Sequence, residues 1–393
     1  METRYLQSII EKDIKSKMVF LAGPRQVGKT TLAQTIATCY SRPVYLNWDN
    51  PEHRQQITSL RWSPDTDLLI LDEIHKDPNW KNLAKGIWDT RSKDMHIIVT
   101  GSSRLNIYRR GGDSLSGRYL LHRLHPFSMR ELFRGNGYSF QLHEKTTPSL
   151  RFDMESEGLD QLSEFGGFPE PLLACNKRQW RRWKKNRFET VIREDIRDTA
   201  GVNLITRMEL MARMISERVC SPLSMSSFAG DLAVSPKTVK SWLDIFSENY
   251  FIFKVPPYHK SLHRALRKES KYYLWDWSVL NDPGSRFENL IASHLLKFCN
   301  FVSDTFGYSA RLFYLRDTDK REVDFLIEWE NKPWLIVECK LKQGGKLLPL
   351  RYFADRLGVI ERFMVVKENG VDYVEHNSNV RVMSANRFLN AFV

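Results

Sequence analysis

Met18-Val19-Phe20-Leu21-Ala22-Gly23-Pro24-Arg25-Gln26-Val27-Gly28-Lys29-Thr30-Thr31 is the stretch that decides how the first third of this chain folds. Met18 to Ala22 is a short apolar run, read as a buried strand, and a helical pattern runs on through Ala37. Gly23 to Thr30 between them matches G-x-x-x-x-G-K-[ST] at every fixed position. Gly23 and Gly28 let the loop backbone of Pro24, Arg25, Gln26 and Val27 curl its N–H groups around phosphates at a helix N-terminus. Lys29 is expected to hold the β/γ-phosphates, and Thr30, followed by Thr31, to reach Mg²⁺. The cofactors expected are therefore ATP and Mg²⁺.

Working outward, Asp67-Leu68-Leu69-Ile70-Leu71 reads as a buried parallel strand that ends in Asp72-Glu73. Asp72 is expected to serve the Mg²⁺ beside Thr30, and Glu73 to polarise the water that attacks the γ-phosphate. The second acid favours hydrolysis over transfer to a small molecule. His96 to Ser103 reads as a further buried strand, inserted between the other two, whose end carries small hydroxyl residues, with Ser102 or Ser103 as γ-phosphate sensor. Strands at 44–48 and 119–124 complete five that alternate with helical segments, as a doubly wound parallel sheet requires. Arg104, Arg109, Arg110 and Arg118 follow the sensor strand. Arg118 is the choice for an arginine finger, acting in cis or from a neighbouring copy in a homo-oligomer, with an ordinary surface salt bridge as the alternative.

The segments GPRQVGKTTL (23–32), LLILDEIHKDPNW (68–80), IIVTGSSR (97–104) and LSGRYLLHRLHPFSMREL (115–132) resemble the prokaryotic AAA-type ATPases (AAA_14) that carry a C-terminal DUF4143 region. The resemblance implies ATP binding and hydrolysis by Lys29, Thr30, Asp72 and Glu73. His75 stands where many relatives are expected to have glutamine.

At 393 residues the chain is long for one core, and two or three domains are expected. A formal net charge of +12 favours polyanionic partners such as nucleic acid. Its five cysteines, Cys39, Cys175, Cys220, Cys299 and Cys339, are widely spaced without a Cys-x-x-Cys pair, which suggests neither disulfide framework nor zinc site and fits a cytoplasmic protein. No segment approaches the ~18 consecutive apolar residues of a membrane span.

Residues 135–158 lose periodicity and read as a boundary. A turn at Gly166-Gly167-Phe168-Pro169-Glu170-Pro171 precedes a helix that interleaves Trp180 and Trp183 among Lys177, Arg178, Arg181, Arg182, Lys184, Lys185 and Arg187, either a phosphate-contacting or a merely solvated basic face. Periodic stretches at 208–219, 226–232 and 236–246, then a strand at 251–255, follow the order of a winged helix-turn-helix. Ser224 and Ser235 suit N-caps, and the helix from Pro236 would offer Lys237, Thr238 and Lys240 to DNA. Lys260, Arg264, Arg267, Lys268 and Lys271 add charge in the wing region.

Residues 311–316, 322–327 and 334–340 read as a three-strand meander. A second turn centred on Asn331 would set Asp324 opposite Glu338 and Glu322 opposite Lys340, all on one face. Facing carboxylates call for a cation, and Mg²⁺ or Mn²⁺ suits oxygen ligands. Together with Glu288 on a preceding helix, this arrangement resembles the PD-(D/E)xK nuclease superfamily. The resemblance implies that Asp324 and Glu338 bind metal with help from Glu288, while Lys340 positions the attacking water. The other reading is a domain of that fold kept for structure or DNA binding, with its acids in ordinary cross-strand pairs.

The expected architecture is multidomain α/β: a P-loop AAA+ core at 1–135, a linker and helical segment at 136–205, a winged helix-turn-helix at 206–260 and a restriction-endonuclease-like domain at 261–393. The expected function is Mg²⁺-dependent ATP hydrolysis that controls a module binding, and in the fuller reading cleaving, DNA. The alternative is an ATP-dependent switch or assembly protein that binds nucleic acid or protein and cuts nothing.

Overall fold

The computed structural model describes residues 4–102, 115–133, 140–141, 148–152, 157–195, 205–259, 269–345 and 347–393. Ser103, Arg104, Arg109 and Arg110 lie outside the described residues, as do Lys260, Arg264, Arg267 and Lys268. The chain divides into two compact units, residues 1–125 and 126–393.

In the first unit, α1 (Gln7–Asp13) leads into β1 (Met18–Ala22), α2 (Lys29–Ala37), β2 (Pro43–Asn47), α3 (Pro51–Thr58), β3 (Leu68–Asp72), α4 (Trp80–Thr90), β4 (His96–Gly101) and β5 (Tyr119–Arg123). The strands form one parallel sheet in the order β2-β3-β4-β1-β5. Every residue of β1 and β3 is buried, as expected of apolar strands covered on both faces. Strand β4 lies between β1 and β3, the place expected of a sensor strand. This order puts the ends of β1, β3 and β4 side by side at the carboxyl edge, where doubly wound sheets bind ligands.

The second unit begins with α5 (Met129–Phe133), a short ribbon of β6 (Phe140–Gln141) and β7 (Ser149–Leu150), and α6 (Leu159–Phe165), α7 (Pro169–Ala174) and α8 (Lys177–Glu189). On α8, Trp183 is buried and the Trp180 indole donates to Ser278 Oγ, while Lys177, Arg178, Arg181, Arg182 and Lys185 are exposed. Arg187 departs from the basic face: it is buried, with its guanidinium 3.9 Å from the Phe168 ring centre.

Next come α9 (Ile205–Glu217), α10 (Met225–Leu232) and α11 (Pro236–Glu248), then an antiparallel pair, β8 (Ile252–Val255) and β9 (Lys271–Leu274). Ser224 and Ser235 cap α10 and α11 by accepting from Ser227 N and Thr238 N, and Pro236 takes the first helical position of α11. The inward faces of these helices bury Met211, Ile215, Phe228, Val239, Trp242 and Phe246 in one core.

The remainder is the long helix α12 (Pro283–Phe306) and a six-stranded mixed sheet, ordered β10-β11-β12-β13-β15-β14. Its strands are β10 (Ala310–Arg316), β11 (Glu322–Trp329), β12 (Lys332–Lys340), β13 (Glu361–Val366), β14 (Asp372–Glu375) and β15 (Val380–Ser384), with α13 (Leu348–Leu357) before β13 and α14 (Ala385–Leu389) after β15. The β11–β12 turn is Glu330-Asn331, both at positive φ (47° and 62°), the conformation that fits a two-residue hairpin. From it Trp329 pairs with Lys332 and Glu328 with Pro333, the register shifts by one residue between Glu328 and Ile327, and the strands then run to Phe325 opposite Val337. Beyond that pair, the Asp324 carboxylate reaches the backbone of Cys339.

Candidate functional site

The loop after β1 is shaped by glycine. Gly23 has φ 152°, and a Cβ there would stand 2.4 Å from the Leu124 carbonyl oxygen, so no side chain fits. Gly28, at φ 96°, caps the N-terminus of α2 in the left-handed region. Lys29 is buried, and its ammonium donates to the carbonyls of Gly23 (2.9 Å) and Pro24 (2.8 Å), which lays the lysine back across the loop. Pro24 and Val27 are buried, Arg25 and Thr30 half-buried, and Gln26 and Thr31 exposed.

Strand β3 delivers Asp72 beside this loop. The Thr30 hydroxyl donates to Asp72 Oδ2 at 3.0 Å, the Tyr45 hydroxyl donates to the same oxygen at 2.6 Å, and Thr100 of β4 donates to Oδ1. Burial, and then the bond to Asp72, push the Tyr45 phenol up to about 12, so it remains a donor. Thr30 and Asp72 therefore supply a hydroxyl and a carboxylate side by side, the protein's usual share of an Mg²⁺ shell completed by phosphates and water. These residues fit ATP and Mg²⁺.

Glu73 adopts φ 58°, a left-handed conformation rare for a side chain of its size. Its Oε2 is buried, accepts no hydrogen bond among the described residues, and lies 3.5 Å from His75 Nε2 and 3.9 Å from Lys76 Nζ. Burial pushes its carboxyl up, against the pull of Lys29 and Lys76. Ser102 is buried at the end of β4. Arg118 donates to Asp89 at 2.9 and 3.3 Å, the salt bridge that is the alternative to a finger.

The second unit gathers a different set. Asp324 Oδ2 accepts from Cys339 N at 2.9 Å, and Lys340 Nζ lies 2.6 Å from Glu338 Oε1. Glu338 Oε2 is buried without a hydrogen-bond partner among the described residues. Glu288, on α12, accepts from the Tyr273 hydroxyl at 2.8 Å. A lysine stands among these acids: Lys271 Nζ is 2.8 Å from Glu322, 3.2 Å from Glu288 and 3.6 Å from Asp324, with its side chain 1% exposed. Burial and then the Asp324 charge push both Glu288 and Glu338 up, whereas Lys271, which burial alone would lower, is held protonated by Glu288, Asp324 and Glu322. Among the described residues no group of three or more His, Cys, Asp or Glu is arranged to hold a metal ion. The expected metal ligands Glu288 and Asp324 are instead paired to an ammonium, and this set does not fit Mg²⁺ or Mn²⁺.

Both sets of residues fall within regions shared with known proteins. Residues 15–133 match the AAA domain family AAA_14, residues 156–283 match a domain of unknown function, DUF8612, and residues 283–388 match a second, DUF4143. The chain carries an AAA domain followed by a C-terminal DUF4143 domain. An uncharacterised protein of Haemophilus influenzae is 22% identical over 82% of this chain and 82% of its own. An uncharacterised protein of Mycobacterium tuberculosis is 21% identical over 81% of this chain and 69% of its own. Among solved structures, a Walker-type ATPase of Pyrococcus abyssi is 14% identical, covering 70% of this chain and 94% of that one, with a TM-score of 0.41. The AAA domain has the P-loop α/β core with its parallel sheet, an ATPase-like fold.

Sequence reasoning misses residues in both parts. Ahead of the AAA domain, buried Arg4 donates to the carbonyls of Val27 (2.8 Å) and His125 (2.5 Å), tying the phosphate loop to the segment after β5. No spacing rule announces such a clamp. The sequence shows Lys271 only as wing-region charge; it comes from the DUF8612 part, whereas the acids come from the DUF4143 part. Asn289 explains how they meet. Its buried amide donates to Leu274 O and accepts from Leu274 N, both at 2.8 Å, and so pins α12, with Glu288, against β9.

Proposed function

We propose that the chain binds ATP with Mg²⁺ and hydrolyses it. The observation that carries this reading is the join between Thr30 of the phosphate loop and Asp72 of β3, with Glu73 next in the chain. Lys29 holds the β/γ-phosphates, the loop N–H groups at the start of α2 cradle them, and Glu73 takes the proton of the attacking water. Bound Mg²⁺ offsets the charge on the phosphates. Ser102 senses the γ-phosphate, and Arg118 acts as finger once it leaves Asp89, within a homo-oligomer if it acts in trans. Steady-state ATP hydrolysis and nucleotide binding test the reading. Lys29→Ala should lose binding, and Glu73→Gln should keep binding and lose turnover; unchanged hydrolysis in either variant removes it.

The cycle is proposed to control the second unit as a nucleic-acid module in the cytoplasm. Helices α9 to α11 with the β8–β9 ribbon support a winged helix-turn-helix, and exposed Lys237 and Lys240 on α11 support contact with DNA. The meander with Asp324, Glu338 and Lys340 supports a nuclease-like fold. Of the two readings of that fold, Lys271 among the carboxylates favours the one in which it binds DNA or protein and cuts nothing. An assay on linear, circular and single-stranded DNA and on RNA, with Mg²⁺ or Mn²⁺ and with or without ATP, separates them. Cleavage that Asp324→Ala abolishes would restore the nuclease reading.

A further inference from the structure

We infer that Lys271 is the resident cation of the DUF4143 carboxylates and takes the place of a divalent metal ion, so that this chain binds no Mg²⁺ or Mn²⁺ at Glu288, Asp324 and Glu338. The inference rests on the non-cleaving reading above and deepens it by naming what fills the site.

The Lys271 ammonium donates to Glu288 at 3.2 Å, and Glu322 at 2.8 Å and Asp324 at 3.6 Å complete a ring of three carboxylates around its charge. Mg²⁺ would need carboxylate oxygens at roughly 2.0 to 2.1 Å, and the Lys271 Nζ already stands 3.2 Å from Glu288 and 3.6 Å from Asp324. It would also meet a positive charge that cannot retreat. The backbone of Lys271 pairs with Val255 in the β8–β9 ribbon, Asn289 holds the same ribbon to α12, and the lysine side chain is buried to its tip. A lysine buried in this way is stable only while paired, so expelling it to admit an ion would expose the core or strand a charge.

The charge balance agrees. Among the described residues the carboxylates Glu288, Glu322, Asp324 and Glu338 face Lys271, Arg316 and Lys340, because Arg316 lies 3.2 Å from Glu322 and Lys340 lies 2.6 Å from Glu338. Little negative charge is left to attract a dication. The pairing also joins two parts of the sequence: the cation from the DUF8612 part locks β9 to strand β11 and to α12.

The test is Mn²⁺ binding to the full-length, nucleotide-free chain, followed by the electron paramagnetic resonance signal of free Mn²⁺. Wild type and Asp324→Asn should give the same titration, since any ion held by Thr30 and Asp72 is common to both. Lys271→Met, which keeps the apolar stem and removes the charge, should gain one saturable equivalent that Lys271→Met combined with Asp324→Asn loses. A wild-type equivalent lost on Asp324→Asn overturns the inference, and so does a folded Lys271→Met that gains none. Should Lys271→Met fail to fold, the wild type against Asp324→Asn decides alone. DNA cleavage in the same samples tests the non-cleaving reading separately. Mn²⁺ binding without cleavage removes only the inference, and cleavage without binding removes only the non-cleaving reading.

Discussion

Thr30 and Asp72 are 42 residues apart in the chain, and the threonine hydroxyl donates to the carboxylate at 3.0 Å. The bond exists because β1 and β3 end at the same edge of the sheet with only β4 between them.

Removing that hydroxyl tests the metal half of the ATPase site. Thr30→Ala should lower Mg²⁺-dependent ATP hydrolysis by roughly 100-fold or more, the scale of losing one positioned group in the transition state. Nucleotide binding in EDTA should change little. Turnover within a few-fold of wild type at saturating Mg²⁺ would take Thr30 out of the site.

Gly23→Ala tests the close approach of the loop to the segment after β5. With 2.4 Å to the Leu124 oxygen, the added methyl must displace backbone. A loss of about 1–3 kcal/mol is expected in denaturant unfolding of the first unit, together with weaker ATP binding. Wild-type stability would mean that the loop relaxes at no cost.

His294 predicts a pH dependence in the second unit. Its Nε2 accepts from Met129 N at 3.1 Å and its Nδ1 donates to Leu290 O at 2.8 Å, an arrangement only the neutral ring allows. Burial, helped by Lys297 and opposed by the Leu290 bond and Glu131, pulls its pKa down to about 4. As pH falls from about 6.5 towards 4, the unfolded chain takes up a proton that the native state refuses, so stability is lost across that window, by about 2 kcal/mol at pH 5. Unfolding at pH 7 and pH 5 should show this loss in wild type and a smaller one in His294→Gln. Equal losses would assign the effect to other groups.

Lys237 and Lys240 test the DNA reading. For each phosphate deprived of its lysine, the slope of log affinity against log salt should fall in magnitude by about 0.9 on duplex DNA. Fluorescence anisotropy over a salt series, wild type against Lys237→Ala and Lys240→Ala, reads this directly. Unchanged slopes would place the DNA surface elsewhere.

The sequence by itself determined the elements whose causes are local. The phosphate loop is written in Gly23, Gly28 and Lys29 because backbone freedom and one cation suffice to specify it. The caps at Ser224 and Ser235 are equally local, and so is the turn at Glu330-Asn331, whereas the one-residue shift between Glu328 and Ile327 that brings Phe325 opposite Val337 is not written in the turn. The insertion of β4 between β1 and β3 was legible too, because the motifs at their ends have a known order.

Tertiary structure alone decided which charges meet. Lys271 is 17 residues from Glu288 and reaches it only because β9 lies along α12 under the grip of Asn289; nothing in the spacing of those residues specifies a buried ammonium. Arg4 reaches the phosphate loop in the same way, across the fold. Periodicity and motif spacing report what a residue does to its own few neighbours. The partner of a buried charge is set by desolvation, which depends on every element that closes over it.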